Sequence, residues 1–204
     1  MVKYVIGILS VSLVASLCYI AYSQAVIIPR LKQNAVLENI LNRKSVRNYI
    51  KDKQITDEQL EKILRAGMAA PSARNMQPWE FIVVKDKSIL KSLADKSPYG
   101  KMLEDAACAV IVAGNLDKTE GKNDFWTQDT SAATQNMLLE IEALGLGAVW
   151  IGGYPKEDRV NMIREAAGLP DNVIPLNIIS IGYPAGKEKP KDKWNPENIH
   201  YDKY

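Results

Sequence analysis

Residues 129–153, DTSAATQNMLLEIEALGLGAVWIGG, change their apolar period partway along, and that change decides the class of fold. Ala133, Met137, Ile141 and Leu144 recur at three- and four-residue steps, with Leu138 beside them. That is the stripe of a helix packed on one face. Gly145 and Gly147 stop it, and Ala148–Ile151 reads as a short strand running into Gly152-Gly153. A long helix feeding straight into a buried strand means that helices and a sheet share one core.

The same alternation of periods extends outward in both directions. Residues 33–44 (QNAVLENILNRK) place Val36, Leu37, Ile40 and Leu41 at helical spacing. Thr56 opens a second helix, with Gln59 three residues on to complete a capping box and Leu60, Ile63 and Leu64 as its buried stripe. Pro71, which has no N–H to donate, closes that helix region. Trp79–Val84 (WEFIVV) is dense in aromatic and β-branched residues and reads as a strand, with Trp79 in the core. Ser88–Asp95 is a short helix. Ala106–Ala113 (AACAVIVA) is a continuous apolar run, suited to a strand buried on both faces, with Cys108 a small core residue. Lys156–Ala167 is a helix ended by Gly168 and Pro170, and Ile174–Ile181 is the last strand. Helices and strands mix without strict alternation, so the expected class is α+β, a mixed sheet flanked by helices.

Composition narrows the function. An apolar fraction of 47% and a charged fraction of 25% belong to a globular chain, not a disordered one. Twenty-six basic against 24 acidic residues leave a net charge of +2, and no basic stripe is interleaved with aromatics. No nucleic-acid partner is therefore expected. Two cysteines, Cys18 and Cys108, form no disulfide framework. The one histidine, His200, lies in the tail, which argues against a Ser-His-Asp triad or a His-rich metal site and gives it a structural reading.

The first 29 residues are a separate matter. Tyr4 to Ile28 carries no charge, and residues 5–28 as a helix would reach about 36 Å, enough for a hydrocarbon core of roughly 30 Å. Two readings stand: a transmembrane anchor, or a signal peptide cut near Ala21-Tyr22-Ser23 and followed by export. Arg30, Lys32, Arg43 and Lys44 follow the run while only Lys3 and the amino terminus precede it. This bias favours the anchor and a cytoplasmic domain over residues 33–204.

Four segments are unusual for reasons other than packing. Arg43-Lys44-Ser45-Val46-Arg47 gathers three cations and a hydroxyl, the groups a phosphate monoester requires, although a solvated basic turn would look the same. Pro71-Ser72-Ala73-Arg74-Asn75-Met76-Gln77-Pro78-Trp79 is a proline-bracketed loop whose amides both donate and accept. Gly152-Gly153 at a strand end lets backbone approach a flat ring or an anion. The tail, with Gly182-Tyr183-Pro184, Lys191-Asp192-Lys193-Trp194 and Ile199-His200-Tyr201, could return a lysine to the phosphate.

In this order, RKSVR, APSARNMQPWEF, the long helix with its WIGG strand, and the late IGYPAGKEKPKDKW, the chain closely resembles the nitroreductase family over about residues 38–204. The resemblance implies an α+β homodimer of domain-swapped type with one FMN at each end of the subunit interface. It implies that Arg43, Ser45 and Arg47 hold the phosphate and ribityl chain, with Lys44 serving through its backbone. Ser72 and Asn75 match flavin contacts often made across the dimer, with Gln77 nearby. Gly152 and Gly153 match the segment beside the isoalloxazine. Lys193 stands where many members have a phosphate-binding arginine, keeping the charge without the fork. The implied activity is ping-pong transfer of a hydride from NAD(P)H to small acceptors such as nitroaromatics and quinones. Arg74 is a candidate cation for the flavin's pyrimidine edge. A reductive dehalogenase and a flavin-binding module without turnover are the alternatives; the short Leu116–Thr127 stretch argues against a dehalogenase-type lid.

Overall fold

The computed structural model describes residues 13–119 and 125–204. A break after Leu41 separates an N-terminal unit from the unit Asn42–Tyr204. The N-terminal unit is helical from residue 13, passes through a widened π-helical turn at Ser23–Ile27, and continues as α1, Ile28–Asn42.

The expected membrane anchor is corrected here. Among the described residues, no helix is long and apolar enough to cross a membrane. The described part of the apolar run ahead of Arg30, residues 13–29, amounts to about 25 Å of helix, short of a hydrocarbon core of roughly 30 Å. Beyond it α1 carries Arg30, Lys32 and Glu38. Residues 1–12 of the run lie outside the described residues. The membrane-anchored localisation fails with the span.

In the second unit, Thr56 caps α2, Asp57–Met68. The Gln59 backbone N–H donates to the Thr56 hydroxyl at 3.1 Å, and the Thr56 N–H donates to the Gln59 side chain at 3.0 Å. Such a cap contributes about 1 kcal/mol. The strands are β1, Trp79–Val84; β2, Cys108–Asn115; β3, Gly147–Gly152; and β4, Val173–Gly182. The helices between them are α3, Lys87–Lys96; α4, Trp126–Ala143; and α5, Glu157–Ala167.

The sheet order is β1-β2-β4-β3, and every neighbouring pair is antiparallel. The expected mixed sheet is therefore corrected to an antiparallel one. The excursion through α3 leaves β1 beside Ala109 and returns into β2 at the same end. The excursion through α5 does likewise between β3 and β4. Helix α4, about 27 Å long, carries the chain to the opposite end of the sheet, so β2 and β3 run the same way. They are not neighbours, because β4 lies between them. The one parallel pairing among the described residues is an isolated bridge, Ser45 to Ala148.

Both faces of this sheet are covered, which explains the unbroken apolar run in β2. Val110, Val112, Ile179 and Ile181 face α2 and α4 through Ile63, Met137 and Ile141. Ala109, Ile111 and Ile178 face α3 and α5 through Leu90, Leu93 and Ile163. Each large aliphatic side chain buried here stabilises the fold by about 1.5–3 kcal/mol. Trp79 and Cys108 are buried as expected.

Candidate functional site

The segment 43–49 bridges to the edge strand β3 from Ser45 to Ala148 and to Pro184 from Tyr49, and burial sorts its side chains. Val46 and Tyr49 are buried, while Ser45 and Arg47 face out. The Val46 N–H donates to the Ala148 carbonyl at 2.8 Å. Two glycines make room for this segment. A Cβ on Gly147 would come within 2.7 Å of Val46, and one on Gly182 within 2.7 Å of Tyr49. Burial pushes the Tyr49 phenol well above its usual range, so it stays a donor. It is shared between the carbonyls of Val46, at 2.9 Å, and Ser180, at 3.1 Å.

This anchoring presents a cationic cleft of about 250 Å³, lined by Arg43, Lys44, Ser45, Arg47, Lys189, Lys191 and Lys193. The first segment and the tail, 142 or more positions apart in the chain if counted from Arg47 to Lys189, thus meet at one place. Lys44 differs from the rest. Its ammonium pairs with Glu142 at 2.8 Å, with both side chains mostly buried, so its charge is already compensated. The remaining lysines and arginines suit an anion of two charges, such as a phosphate monoester.

A second cavity, about 360 Å³, adjoins the first through Arg47 and is lined by Tyr99, Lys101, Met102, Trp150 and Gly152 with the β3 backbone. The two glycines of the WIGG strand now separate. A Cβ on Gly152 would meet nothing within 4 Å, whereas one on Gly153 would come within 2.9 Å of Ile163 Cδ1 and 3.2 Å of two carbonyls. Packing within the chain accounts for Gly153; it leaves Gly152 free for a flat ligand to approach.

The proline-bracketed loop lies elsewhere. Ser72, Asn75 and Gln77 line neither cavity. The loop is internally tied: the Gln77 N–H donates to Ser72 Oγ at 3.0 Å, and the Gln77 amide donates to Asn75 Oδ1 at 2.9 Å. Arg74, Asn75 and Gln77 all have left-handed backbone, with φ of 53°, 56° and 50°. For residues with a Cβ this costs about 1–3 kcal/mol each. Ser72 instead borders a shallow depression with Pro71, Ala73, Phe125, Gln128 and Asp129. His200 rests against the Tyr204 ring, centroids 4.3 Å apart.

Four lining residues escape a reading from sequence, while Lys191 belongs to the tail segment already singled out. Lys189 stands four positions before Lys193, a spacing that puts extended-chain side chains on one side and could have revealed it. Tyr99, Lys101 and Met102 lie in a turn and a short 3₁₀ segment with no such signal.

Known proteins share the sequence pattern and the fold of this chain. The nitroreductase family model matches residues 40–98 and 94–183. A protein of Archaeoglobus fulgidus, provisionally named NADH dehydrogenase/NAD(P)H nitroreductase, is 43% identical over 171 residues, covering 82% of this chain and 98% of its own. A crystal structure of the same provisional name, from Parabacteroides distasonis, is 46% identical with a TM-score of 0.80, covering 83% of this chain and 99% of its own. A provisionally named nitroreductase of Desulfovibrio desulfuricans, solved in complex with FMN, is 31% identical with a TM-score of 0.72, covering 83% and 97%. The chain belongs to the nitroreductase family.

Proposed function

We propose that this chain is an FMN-dependent NAD(P)H oxidoreductase, its flavin-binding domain spanning residues 33–204, that reduces small acceptors such as nitroaromatics or quinones. The observation that carries it is the cationic cleft that shares Arg47 with the cavity beside Gly152. Bound FMN would supply the chemistry, accepting a hydride from NAD(P)H and passing two electrons to the acceptor.

The chain's own residues bind, orient and tune. Arg43 and Arg47 offer guanidinium forks to the phosphate, Ser45 a hydroxyl donor, and Lys193 with Lys189 and Lys191 further charge. A cation 4 Å from a phosphate charge is worth about 4 kcal/mol before desolvation, at the effective dielectric of a protein surface. Lys44 serves this cleft through its backbone, since its ammonium is held by Glu142. Gly152 leaves the ring face open, and Gly153 fixes the strand end behind it. Arg47 and Lys101 line the ring cavity while Arg74 lies outside it in this chain, and a positive charge there favours the electron-rich form of the cofactor.

Ser72, Asn75 and Gln77 complete the site of a second copy in a homodimer. They lie outside both cavities of their own chain, and the tail exposes Trp194 at 75% and Tyr201 at 84%. Mixing an Arg43→Ala chain with an Asn75→Ala chain should then restore one intact site per heterodimer.

Purified full chain should be yellow, with FMN released on denaturation. Anaerobic mixing with NADH or NADPH should bleach it, and no bleaching with either donor would sink the reductase. Arg43→Ala and Arg47→Ala should each weaken FMN retention; normal retention in both would reject the phosphate assignment.

A further inference from the structure

We infer that Asp129 is a positioning residue for the Ser72–Gln77 loop, acting on the ligand through that loop and not by contact. Its link to flavin rests on the function proposed above.

Asp129 lies in the first turn of α4 and is 5% exposed. Its Oδ1 accepts the Ala73 backbone N–H at 2.9 Å, across 56 positions of sequence. Ala73 opens the single 3₁₀ turn Ala73–Asn75. The residue before it, Ser72, has the extended backbone of a helix cap, yet its hydroxyl does not cap this turn. That hydroxyl accepts the Gln77 N–H instead, at 3.0 Å. The capping role has passed to a carboxylate from a distant helix, which frees the Ser72 side chain to close the far end of the loop.

The arrangement resembles a clamp with two jaws. At one end Asp129 fixes Ala73; at the other the Asn115 N–H donates to the Pro78 carbonyl at 2.7 Å. Between them stand three residues in left-handed backbone, which relax unless both ends are held. Asp129 is a rigid anchor because its side chain is buried and carried on the first turn of an 18-residue helix. Ser72, Asn75 and Gln77 therefore reach the ligand already arranged, and Asp129 sets that arrangement.

Three variants test this in the full chain. Asp129→Ala deletes the acceptor. Asp129→Asn keeps an oxygen acceptor without the charge. Ala73→Pro deletes the donor alone, at a position whose 3₁₀ geometry and extended predecessor both suit proline. In flavin-free protein, amide exchange of residues 73–77 should quicken by about tenfold to a hundredfold in Asp129→Ala, and Asp129→Asn should recover most of it. In Ala73→Pro the same should hold for residues 74–77. FMN titrations should show weaker binding and an altered visible circular dichroism of the flavin in the same order of variants. Wild-type exchange across residues 74–77 in both Asp129→Ala and Ala73→Pro would overturn the clamp, whether or not the chain binds flavin. Faster exchange with unchanged flavin binding and spectrum would overturn the positioning role. A wild-type chain that binds no FMN would instead overturn the function proposed above, and the exchange result would still decide the clamp.

Discussion

Replacing Gly152 and Gly153 by alanine, one at a time, separates a ligand-facing position from a packed one. Both stand at the end of β3 without left-handed backbone, so alanine suits the conformation of each and only the space around the new Cβ differs. At Gly153 that Cβ would meet Ile163 Cδ1 at 2.9 Å and the carbonyls of Pro175 and Leu176 at 3.2 Å. The isoleucine methyl can swing; the two carbonyls belong to β4, and the Leu176 carbonyl already accepts the Gly153 N–H at 2.9 Å. Overpacking against such a frame costs about 1–3 kcal/mol. For a domain of this size that lowers the melting temperature by roughly 2–4 °C per kcal/mol. At Gly152 the Cβ meets nothing within 4 Å, so the flavin-free variant should melt within about 1–2 °C of wild type. Gly152→Ala should nonetheless bind FMN at least about tenfold more weakly, a loss near 1.4 kcal/mol, because the methyl takes space the ring needs. The assays are differential scanning fluorimetry without flavin and fluorescence titration with FMN. A Gly153→Ala melting curve superimposable on wild type would refute the packing account. A Gly152→Ala chain with wild-type FMN affinity would refute placing the ring against that face.

Two further outcomes follow from charges and protons. Burial pushes the Cys108 thiol up to about 12, against 9.0 for a free thiol, so the native chain keeps a proton that the unfolded chain releases. Its stabilisation is whole below about pH 9 and falls by about 1.4 kcal/mol per pH unit above it. Urea unfolding across alkaline pH should show this slope reduced in Cys108→Ala; an identical slope would show that the thiol is not the titrating group. The Tyr49 phenol, also raised by burial, adds a fall of the same sign above 10.0. Lys44→Met should lower stability by about 1–2 kcal/mol through loss of the Glu142 pair, yet reduce FMN affinity less than Arg43→Ala does. The reverse ranking would place the Lys44 ammonium on the anion.

How much of the site was legible depended on whether its parts were local. Arg43, Ser45 and Arg47 declare themselves as a cluster within five residues, and the cleft holds all three. Lys193 joins them there from the tail. Gly153 was read with Gly152 as one motif, but the two have different neighbours, which no dipeptide can express. Lys101 sits in a short 3₁₀ segment with no signal in the sequence, and only the tertiary structure brings it to the cavity beside Gly152. The membrane anchor was read from an uncharged run, and among the described residues no helix is both long and apolar enough to span.

Periodicity alone determined the elements: the α4 stripe, the capping box at Thr56, and strands β1, β2 and β4 follow from side-chain spacing and local hydrogen bonds. Those are short-range effects, complete within a few residues of sequence. Tertiary structure decided the order β1-β2-β4-β3, the antiparallel sense, the meeting of Arg47 with the tail lysines, and the hold of Asp129 on Ala73. The strand order and sense depend on where α4 returns the chain. Its length sends β3 to the far end of the sheet, and β4 then fills the gap between β2 and β3, a choice made by burial of two faces at once.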